Sequence, residues 1–304
     1  MKNKNHLKRI YWTVLIFASL FWGVQFFADV VEKGGDQDTS AVQHVPKTDS
    51  LSAAKPILKS FNIQKLKKIF SPEPFKPLTE LRKVENKAFA VGENLVFDIA
   101  YGPVIAGTAT MSIPDTQWVE GRPCYHIVTT AESNAFFSNI FKVRDRVETF
   151  IDMEGIFPWK FEKHIREGKY RSDRYVQYDQ WNRRVVMGKD TLLVSPYVQD
   201  VLSSFYYART VPLEVGKSFD IDNYGDGKLY PLKVLVHKKD RVQVPAGTFH
   251  CVIVEPVMRV EGIFNQKGRL AIWLTDDERR IPVLMKSKVI IGSIDCRLKS
   301  FTMK

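Results

Sequence analysis

The stretch LVFDIAY, Leu95 to Tyr101, indicates the fold class of this chain. Large apolar or aromatic side chains stand at every second position, Leu95, Phe97, Ile99 and Tyr101. Because successive side chains of a strand point to opposite faces, this period of two predicts a β-strand with one buried face. Gly102-Pro103 follows directly and predicts a turn into the next strand.

The same period continues through the chain from Asn86 onward. Further alternating runs are Ala109 to Ile113, Phe141 to Ile151, Leu232 to Val236, Phe249 to Ile253, Leu270 to Leu274 and Val283 to Ile291. Turn signals rich in glycine separate the runs. About a dozen strands without an intervening helical period predict an antiparallel sheet, which at this size rolls into a barrel or folds into a sandwich. We therefore expect residues 86–304 to form one all-β domain, a large antiparallel rolled sheet or barrel.

Two segments break the strand pattern and predict short capping helices. The first covers 195–209, where Ser195-Pro196 is a good N-cap and first-turn pair for the apolar stripe that follows. The second is a single turn within 133–140. Both helices are expected to cap or plug an opening of the barrel.

The N-terminus carries an uncharged segment, 10–28 (IYWTVLIFASLFWGVQFFA), behind a basic tip. A helix of this length rises about 28 Å, close to the hydrocarbon thickness of a bilayer. A cleaved signal peptide is the alternative, but the one suitable cut, after Ala28, has the large Phe26 two residues before it. We expect 1–28 to be a membrane anchor or uncleaved signal in the inner membrane, with the domain facing the periplasm.

Residues 29–85 are predicted to form a linker, because they are rich in proline and polar residues and poor in apolar ones. Within it, 55–70 mixes lysines with large apolar residues. This mixture is typical of an amphipathic helix on a membrane surface. A short helix docked on the domain and a solvated spacer are the alternatives.

The net charge of the chain indicates which kinds of partner it could bind. The formal net charge is +11, and four of the basic residues belong to 1–28. The basic excess suits lipid headgroups or an acidic glycan, although solubility alone also explains it. Because no nucleic-acid motif occurs, we expect no nucleic-acid partner.

The three cysteines, Cys124, Cys251 and Cys296, lie too far apart in sequence for a CxxC motif. Two of them could pair in an oxidising compartment, and the spacing does not say which. Cys251 and Cys296 alternate in step with apolar residues on the same side of their strands. This pattern favours a role as small core side chains over a role as reactive thiols.

Several strand phrases together resemble the domain-of-unknown-function family 3108 of the bacterial envelope. The phrases are Phe89-x-Val91-Gly92-Glu93-x-Leu95, Tyr101-Gly102-x-x-x-Ala106-Gly107-x-Ala109, Val143-x-Asp145-Arg146-x-Glu148, Gln199-Asp200-x-Leu202-Ser203-x-x-Tyr206-Tyr207-x-Arg209, and Trp273-Leu274-Thr275-Asp276-Asp277 with Arg280-Ile281-Pro282-Val283. The resemblance spans 88–302. It implies an exported or periplasmic β-rich protein without assigned activity, and it carries over no catalytic residue.

Standard catalytic devices are missing from the sequence. It contains no G-x-S-x-G and no H-E-x-x-H. Asp276 and Asp277 are adjacent at a strand end, so their side chains point opposite ways and favour a solvated turn over a catalytic pair. The histidines are scattered singly. We therefore predict no catalytic residue, no cofactor and no metal site. The sequence favours a protein without enzymatic activity over an enzyme.

The candidate binding residues are Asp145, Arg209 and a set of aromatic side chains. The alternation along its strand places Asp145 on the apolar face, where it would be buried. A buried carboxylate needs a cation or several hydrogen-bond donors. Arg209 is the expected partner, with Glu93 and Asp200 as further members. A structural ion pair that pins the helix to the barrel is the alternative to a ligand site. The aromatic candidates for the binding face are Tyr101, Phe137, Phe141 and Tyr206.

These observations support three functions. The favoured one is a membrane-tethered periplasmic binding protein that holds a lipid-like or other apolar ligand in a barrel or groove. The second is a scaffold that docks a glycan or protein of the envelope. The third and weakest is an envelope hydrolase.

Overall fold

The computed structural model describes residues 76–258, 270–288 and 292–303. The predicted anchor, most of the predicted linker and the predicted helix at 55–70 lie outside the described residues. Among the described residues, no helix is long and apolar enough to span a membrane. The strands are β1 (Asn94–Tyr101), β2 (Val104–Val119), β3 (Arg122–Ser133), β4 (Arg144–Asp152), β5 (Pro158–Glu167), β6 (Tyr170–Asp179), β7 (Arg184–Met187), β8 (Asp190–Leu193), β9 (Ser218–Gly225), β10 (Lys228–Val244), β11 (Gly247–Met258), β12 (Leu270–Thr275), β13 (Pro282–Lys288) and β14 (Ser293–Thr302). The helices are α1 (Ala135–Ser138) and α2 (Val201–Thr210).

All the strands belong to one antiparallel sheet, which confirms the all-β prediction. Their order is β8-β7-β6-β5-β4-β3-β2-β1-β14-β13-β12-β11-β10-β9. Within the described ranges, no backbone ladder joins the outer strands β8 and β9, so the sheet is not a closed barrel.

The two halves of the sheet nevertheless meet through side chains. Asp226, in the turn after β9, pairs with Lys163 of β5 at 3.1 Å and with Arg174 of β6 at 2.6 Å. The rings of Tyr178 and Tyr224 meet edge to face beside them. A parallel bridge between Gln199 and Asn223 adds a backbone contact. The sheet is therefore rolled, with β9 facing β5 and β6 across the gap.

Helix α2 lies in the interior of this roll and buries most of its side chains. It begins at Val201, later than the predicted 195–209, because the preceding segment is not helical. Tyr197 has a φ of 60°, and Gln199 exchanges backbone hydrogen bonds with β9. Asp200 is the N-cap, and its carboxylate accepts from the backbone N–H of Leu202 and Ser203. The predicted second turn is present as α1.

The main core lies between α2 and the inner faces of β1–β3 and β9–β14. The three cysteines are buried and free. Burial raises the pKa of Cys251 and of Cys296 to about 12. These thiols therefore stay protonated near neutral pH and act as small apolar side chains.

Candidate ligand-binding cavity

A cavity of about 90 Å³ separates α2 from the inner faces of β9–β13. This is room for several water molecules, since one needs about 10–15 Å³. The lining residues are Met111, Val201, Leu202, Ser204, Phe205, Ala208, Ile221, Asn223, Leu232, Val234, Val254, Pro256, Leu270, Ile272, Leu274 and Met285. Fourteen of these sixteen are apolar, so the cavity favours an apolar occupant over water.

The two polar lining residues differ in their hydrogen bonding. The Ser204 hydroxyl donates to the Val201 carbonyl at 2.9 Å and is satisfied within α2. The Asn223 side chain is buried, and its Nδ2 has no hydrogen-bond partner among the described residues. A buried unsatisfied donor costs about 1–3 kcal/mol. A ligand with a carbonyl or carboxylate oxygen would remove that cost.

The cavity lies toward one end of the rolled sheet. We call this the mouth end: the end at which β1, β3, β5 and β11 finish. Four lining residues are only half-buried, Val201, Phe205, Pro256 and Leu270. Pro256 stands near the end of β11 and Leu270 begins β12, so the cavity reaches the surface there.

The opposite end of the sheet is closed by Arg209 of α2. Its guanidinium makes a bidentate pair with Glu93, with Nη1 to Oε1 at 2.8 Å and Nη2 to Oε2 at 2.7 Å. Nη2 also donates to the carbonyls of Ala88 and Arg279, and the Tyr206 hydroxyl donates to Glu93 Oε1 at 3.2 Å. Burial by itself lowers the pKa of Arg209, but the charge and hydrogen bonds of Glu93, together with Tyr206, outweigh burial and the net pKa is raised.

The predicted pairing of Asp145 with Arg209 is wrong. Asp145 is buried, as the alternation along β4 predicts. Its partners, however, belong to β5. Asp145 Oδ1 accepts a hydrogen bond from the backbone N–H of Arg166 at 2.8 Å, and the carboxylate faces Glu167. Glu93 takes the place of Asp145 because the last turn of α2 lies beside the residues that precede β1, on the other side of the interior.

Asp145 and Glu167 form a buried carboxyl pair. Burial, and then the neighbouring Asp145 charge, raise the pKa of Glu167 to about 8. Burial also raises the pKa of Asp145. Glu167 therefore keeps its proton at neutral pH and donates it to the Asp145 carboxylate. Asp145 also lines a second cavity of about 10 Å³, which is room for about one water.

Another buried carboxylate, that of Asp200, supports the start of α2. Asp200 Oδ2 accepts from the Thr149 hydroxyl of β4 at 2.6 Å, while its Oδ1 caps the helix. Burial raises the pKa of Asp200 to about 6. This carboxylate therefore fixes the helix that forms one wall of the cavity.

The predicted aromatic residues lie around the main core. Tyr206 is fully buried beside Glu93, while Tyr101, Phe137 and Phe141 are half-buried and pack on the core near the mouth end. Within the described residues, none of the six predicted binding residues lines the main cavity. Their role in binding remains a prediction.

The cavity residues could be found in the sequence only as members of apolar runs. Leu232, Val234, Ile272 and Leu274 belong to predicted strands, and their period shows that they face inward. Which inward residues leave a gap depends on how far α2 lies from β9–β13. That distance is set by packing across the roll and has no local sequence signal.

The family of the chain is shown by a comparison with family models. The model described as "Protein of unknown function (DUF3108)" matches residues 96–299. The chain belongs to this family. The resemblance of the strand phrases is thereby confirmed. No curated protein matches this DUF3108 chain.

Solved structures similar to this DUF3108 protein include three of low sequence identity. A β-barrel-like protein of family DUF1849 from Brucella abortus has 12% identity and a TM-score of 0.49, with 71% of this chain and 99% of that chain covered. A presumed lipoprotein from Parabacteroides distasonis has 9% identity and a TM-score of 0.33, covering 73% and 100%. A presumed exported protein with a YmcC-like fold from Bacteroides fragilis has 12% identity and a TM-score of 0.28, also covering 73% and 100%. Since all three TM-scores lie below 0.5, these likenesses say nothing about what the chain binds.

Proposed function

We propose that this protein is a membrane-tethered periplasmic binding protein that holds the apolar end of a lipid-like molecule between α2 and β9–β13. The observation that carries the proposal is the cavity itself, which is nearly all apolar and reaches the surface at the mouth end. A cavity of about 90 Å³ is too small for a whole two-chain lipid, whereas one alkyl chain enters it end-on.

Asn223 Nδ2, which has no hydrogen-bond partner among the described residues, favours one class of ligand. It is a donor in an otherwise apolar lining, so it favours a ligand with one acceptor oxygen near an alkyl chain. Fatty acids and fatty-acyl esters have this combination. A purely hydrocarbon ligand leaves the donor unsatisfied and binds more weakly.

The mouth end also carries an exposed surface suited to a bilayer. Its exposed apolar side chains include Val104, Ile105, Phe136 and Ile140. Asn134 holds α1 against the start of β2 through the Ile105 carbonyl, so these residues lie side by side. Exposed apolar side chains in a group are typical of a membrane or protein interaction site.

Cations surround this apolar group and favour the membrane. Lys142, Arg144, Lys169 and Arg171 are exposed on the neighbouring segments. The Gly168 N–H donates to the Lys142 carbonyl at 2.8 Å, which places the β5–β6 turn beside the chain that follows α1. Apolar tips among lysines and arginines match anionic headgroups above an acyl layer. In that orientation the cavity mouth faces the source of the ligand.

Native mass spectrometry of the full chain purified from membrane extracts tests the proposal. We expect an adduct with the mass of a fatty acid or acyl lipid, released under denaturing conditions. A delipidated protein that shows no adduct after incubation with a series of fatty acids would overturn the proposal.

A further inference from the structure

The outer face of the sheet brings together four side chains that the sequence leaves scattered. Glu148 of β4 and Glu162 of β5 stand directly opposite each other in the register. His164 lies two residues along β5 from Glu162, and His126 of β3 bonds Glu148 from the other side. Two carboxylates opposite each other on neighbouring strands repel unless a cation lies between them.

Each of the two carboxylates divides its oxygens between a basic side chain and a histidine. Glu148 Oε1 accepts from Arg146 Nε at 2.6 Å, and its Oε2 lies 2.6 Å from His126 Nε2. Glu162 Oε1 pairs with Lys160, and its Oε2 lies 3.7 Å from His164 Nε2. Arg146 and Lys160 therefore satisfy one oxygen of each carboxylate, while the other oxygen faces an imidazole.

Both histidines are oriented by a further carboxylate on the far side of the ring. His164 Nδ1 lies 2.7 Å from Asp173 Oδ1, and His126 Nδ1 lies 3.0 Å from Asp115 Oδ1. Metal-binding histidines almost always donate their second ring N–H to a carboxylate, carbonyl or water, which fixes the tautomer that leaves the other nitrogen free. Here this hydrogen bond leaves Nε2 of each ring directed at the glutamates.

We propose that Glu148, Glu162 and His164 bind a divalent transition-metal ion, with Zn²⁺ as the best match. One ligand atom from each of the three lies within 4.8 Å of the others, so small side-chain rotations bring them to a common ion. Their side chains are 12%, 17% and 25% exposed, so the group is sheltered yet open to solvent. Two oxygens and one imidazole nitrogen are ligands that zinc accepts, and a water completes the shell.

His126 is the nearest candidate for a fourth ligand, because its Nε2 already contacts Glu148. Asp173 is a positioning residue, since it acts on the ion only through His164. The site lies on the outer face of β3–β6, whereas the proposed lipid cavity lies on the inner face of β9–β13. The metal site and the lipid cavity can therefore be tested independently of each other.

Calorimetric titration of the EDTA-stripped full chain with ZnCl₂ tests the site. We expect one saturable binding event, weakened at least tenfold by His164→Asn and by Glu162→Gln. Asp173→Asn should weaken it by about 10–100-fold, the range for a residue that orients a ligand. His250→Asn, at an exposed histidine on β11, is the matched control and should bind as the unaltered chain does.

Circular dichroism and urea unfolding of each variant show whether it is folded, and Glu162→Gln remains informative if His164→Asn unfolds. Absence of saturable zinc binding to the unaltered chain would overturn the proposal. Equal affinity of folded His164→Asn, Glu162→Gln and His250→Asn would also overturn it, because the zinc would then bind elsewhere.

Discussion

Arg209 and Glu93 lie 116 residues apart in the chain and form a buried bidentate ion pair, with Nη2 2.7 Å from Oε2. Arg209 lies in the last turn of α2, and Glu93 directly precedes β1. The pair therefore fixes the helix against the strand at the centre of the sheet order. Its position explains why the cavity is closed at this end and reaches the surface at the other.

Glu93→Gln should lower the free energy of unfolding by about 3–5 kcal/mol, because the Arg209 charge then stays buried without its counter-ion. Urea unfolding at pH 7 measures the loss. Glu278→Gln, at an exposed carboxylate, is the control and should change stability by less than about 0.5 kcal/mol. A change in Glu93→Gln as small as in the control would show that the pair does not hold α2.

Asp200→Ala should cost about 1–2 kcal/mol, because α2 loses its N-cap and Thr149 loses its acceptor. Asp200→Asn keeps a capping oxygen and should retain most of that free energy. Urea unfolding of the two variants separates capping from charge. Equal losses in both would mean that the negative charge, and not the cap, is what α2 needs.

The stability of the fold should depend on Glu167 as pH rises. An unfolded glutamate releases its proton near its ordinary pKa of 4.5, whereas folded Glu167 keeps it to about pH 8. Between these values the folded state holds more protons, so stability falls with rising pH, by up to about 1.4 kcal/mol per pH unit. Glu167→Gln removes this loss.

The measurement is the free energy of unfolding of both proteins from pH 5 to pH 8. We expect the unaltered chain to lose more stability over this range than Glu167→Gln, and groups common to both cancel in the difference. Parallel curves for the two proteins would show that Glu167 ionises normally in the fold.

The mouth end should bind anionic membranes through its apolar tips. The double variant Phe136→Asp/Ile140→Asp places charge on side chains that are 69% and 53% exposed, so little stability is lost. We expect its preference for vesicles of phosphatidylglycerol and phosphatidylethanolamine over neutral phosphatidylcholine vesicles, measured by co-sedimentation, to fall at least fivefold. Trp118→Asp is the matched control, since Trp118 is 72% exposed near the opposite end of β2.

An undiminished preference in the double variant would show that Phe136 and Ile140 do not contact the anionic membrane. The neutral vesicles separate this contact from insertion of the predicted anchor. An anchor inserts into both kinds of vesicle, whereas the cationic mouth end prefers the anionic ones.

The sequence predicts the strands well because alternation is a local signal. Leu95, Phe97 and Ile99 are all buried, as their period of two requires. The sequence predicts a start of α2 that is too early, since Ser195-Pro196 has the chemistry of a helix start. A long-range backbone pairing of Gln199 with β9 keeps that segment extended, and no local rule reports it.

The partner of Arg209 was harder to predict for the same reason. Both Asp145 and Glu93 are buried acids, and the sequence shows only that one such acid is needed. The choice between them depends on where the last turn of α2 lies in the roll. Likewise, the pairing register of β3–β5 brings His126 and His164 to the same outer face of the sheet. The distance between the two histidines in the sequence does not reveal this register.

The most direct test of the account is a titration of the delipidated chain with the fluorescent fatty acid cis-parinaric acid. Ala208 lines the cavity from α2, so Ala208→Leu fills the space while keeping a good helix former. Ala90→Leu adds the same group at an exposed position and is the control. We predict saturable binding that Ala208→Leu weakens at least tenfold and Ala90→Leu leaves unchanged. No saturable binding to the unaltered chain, or equal affinity in all three proteins, would contradict the account.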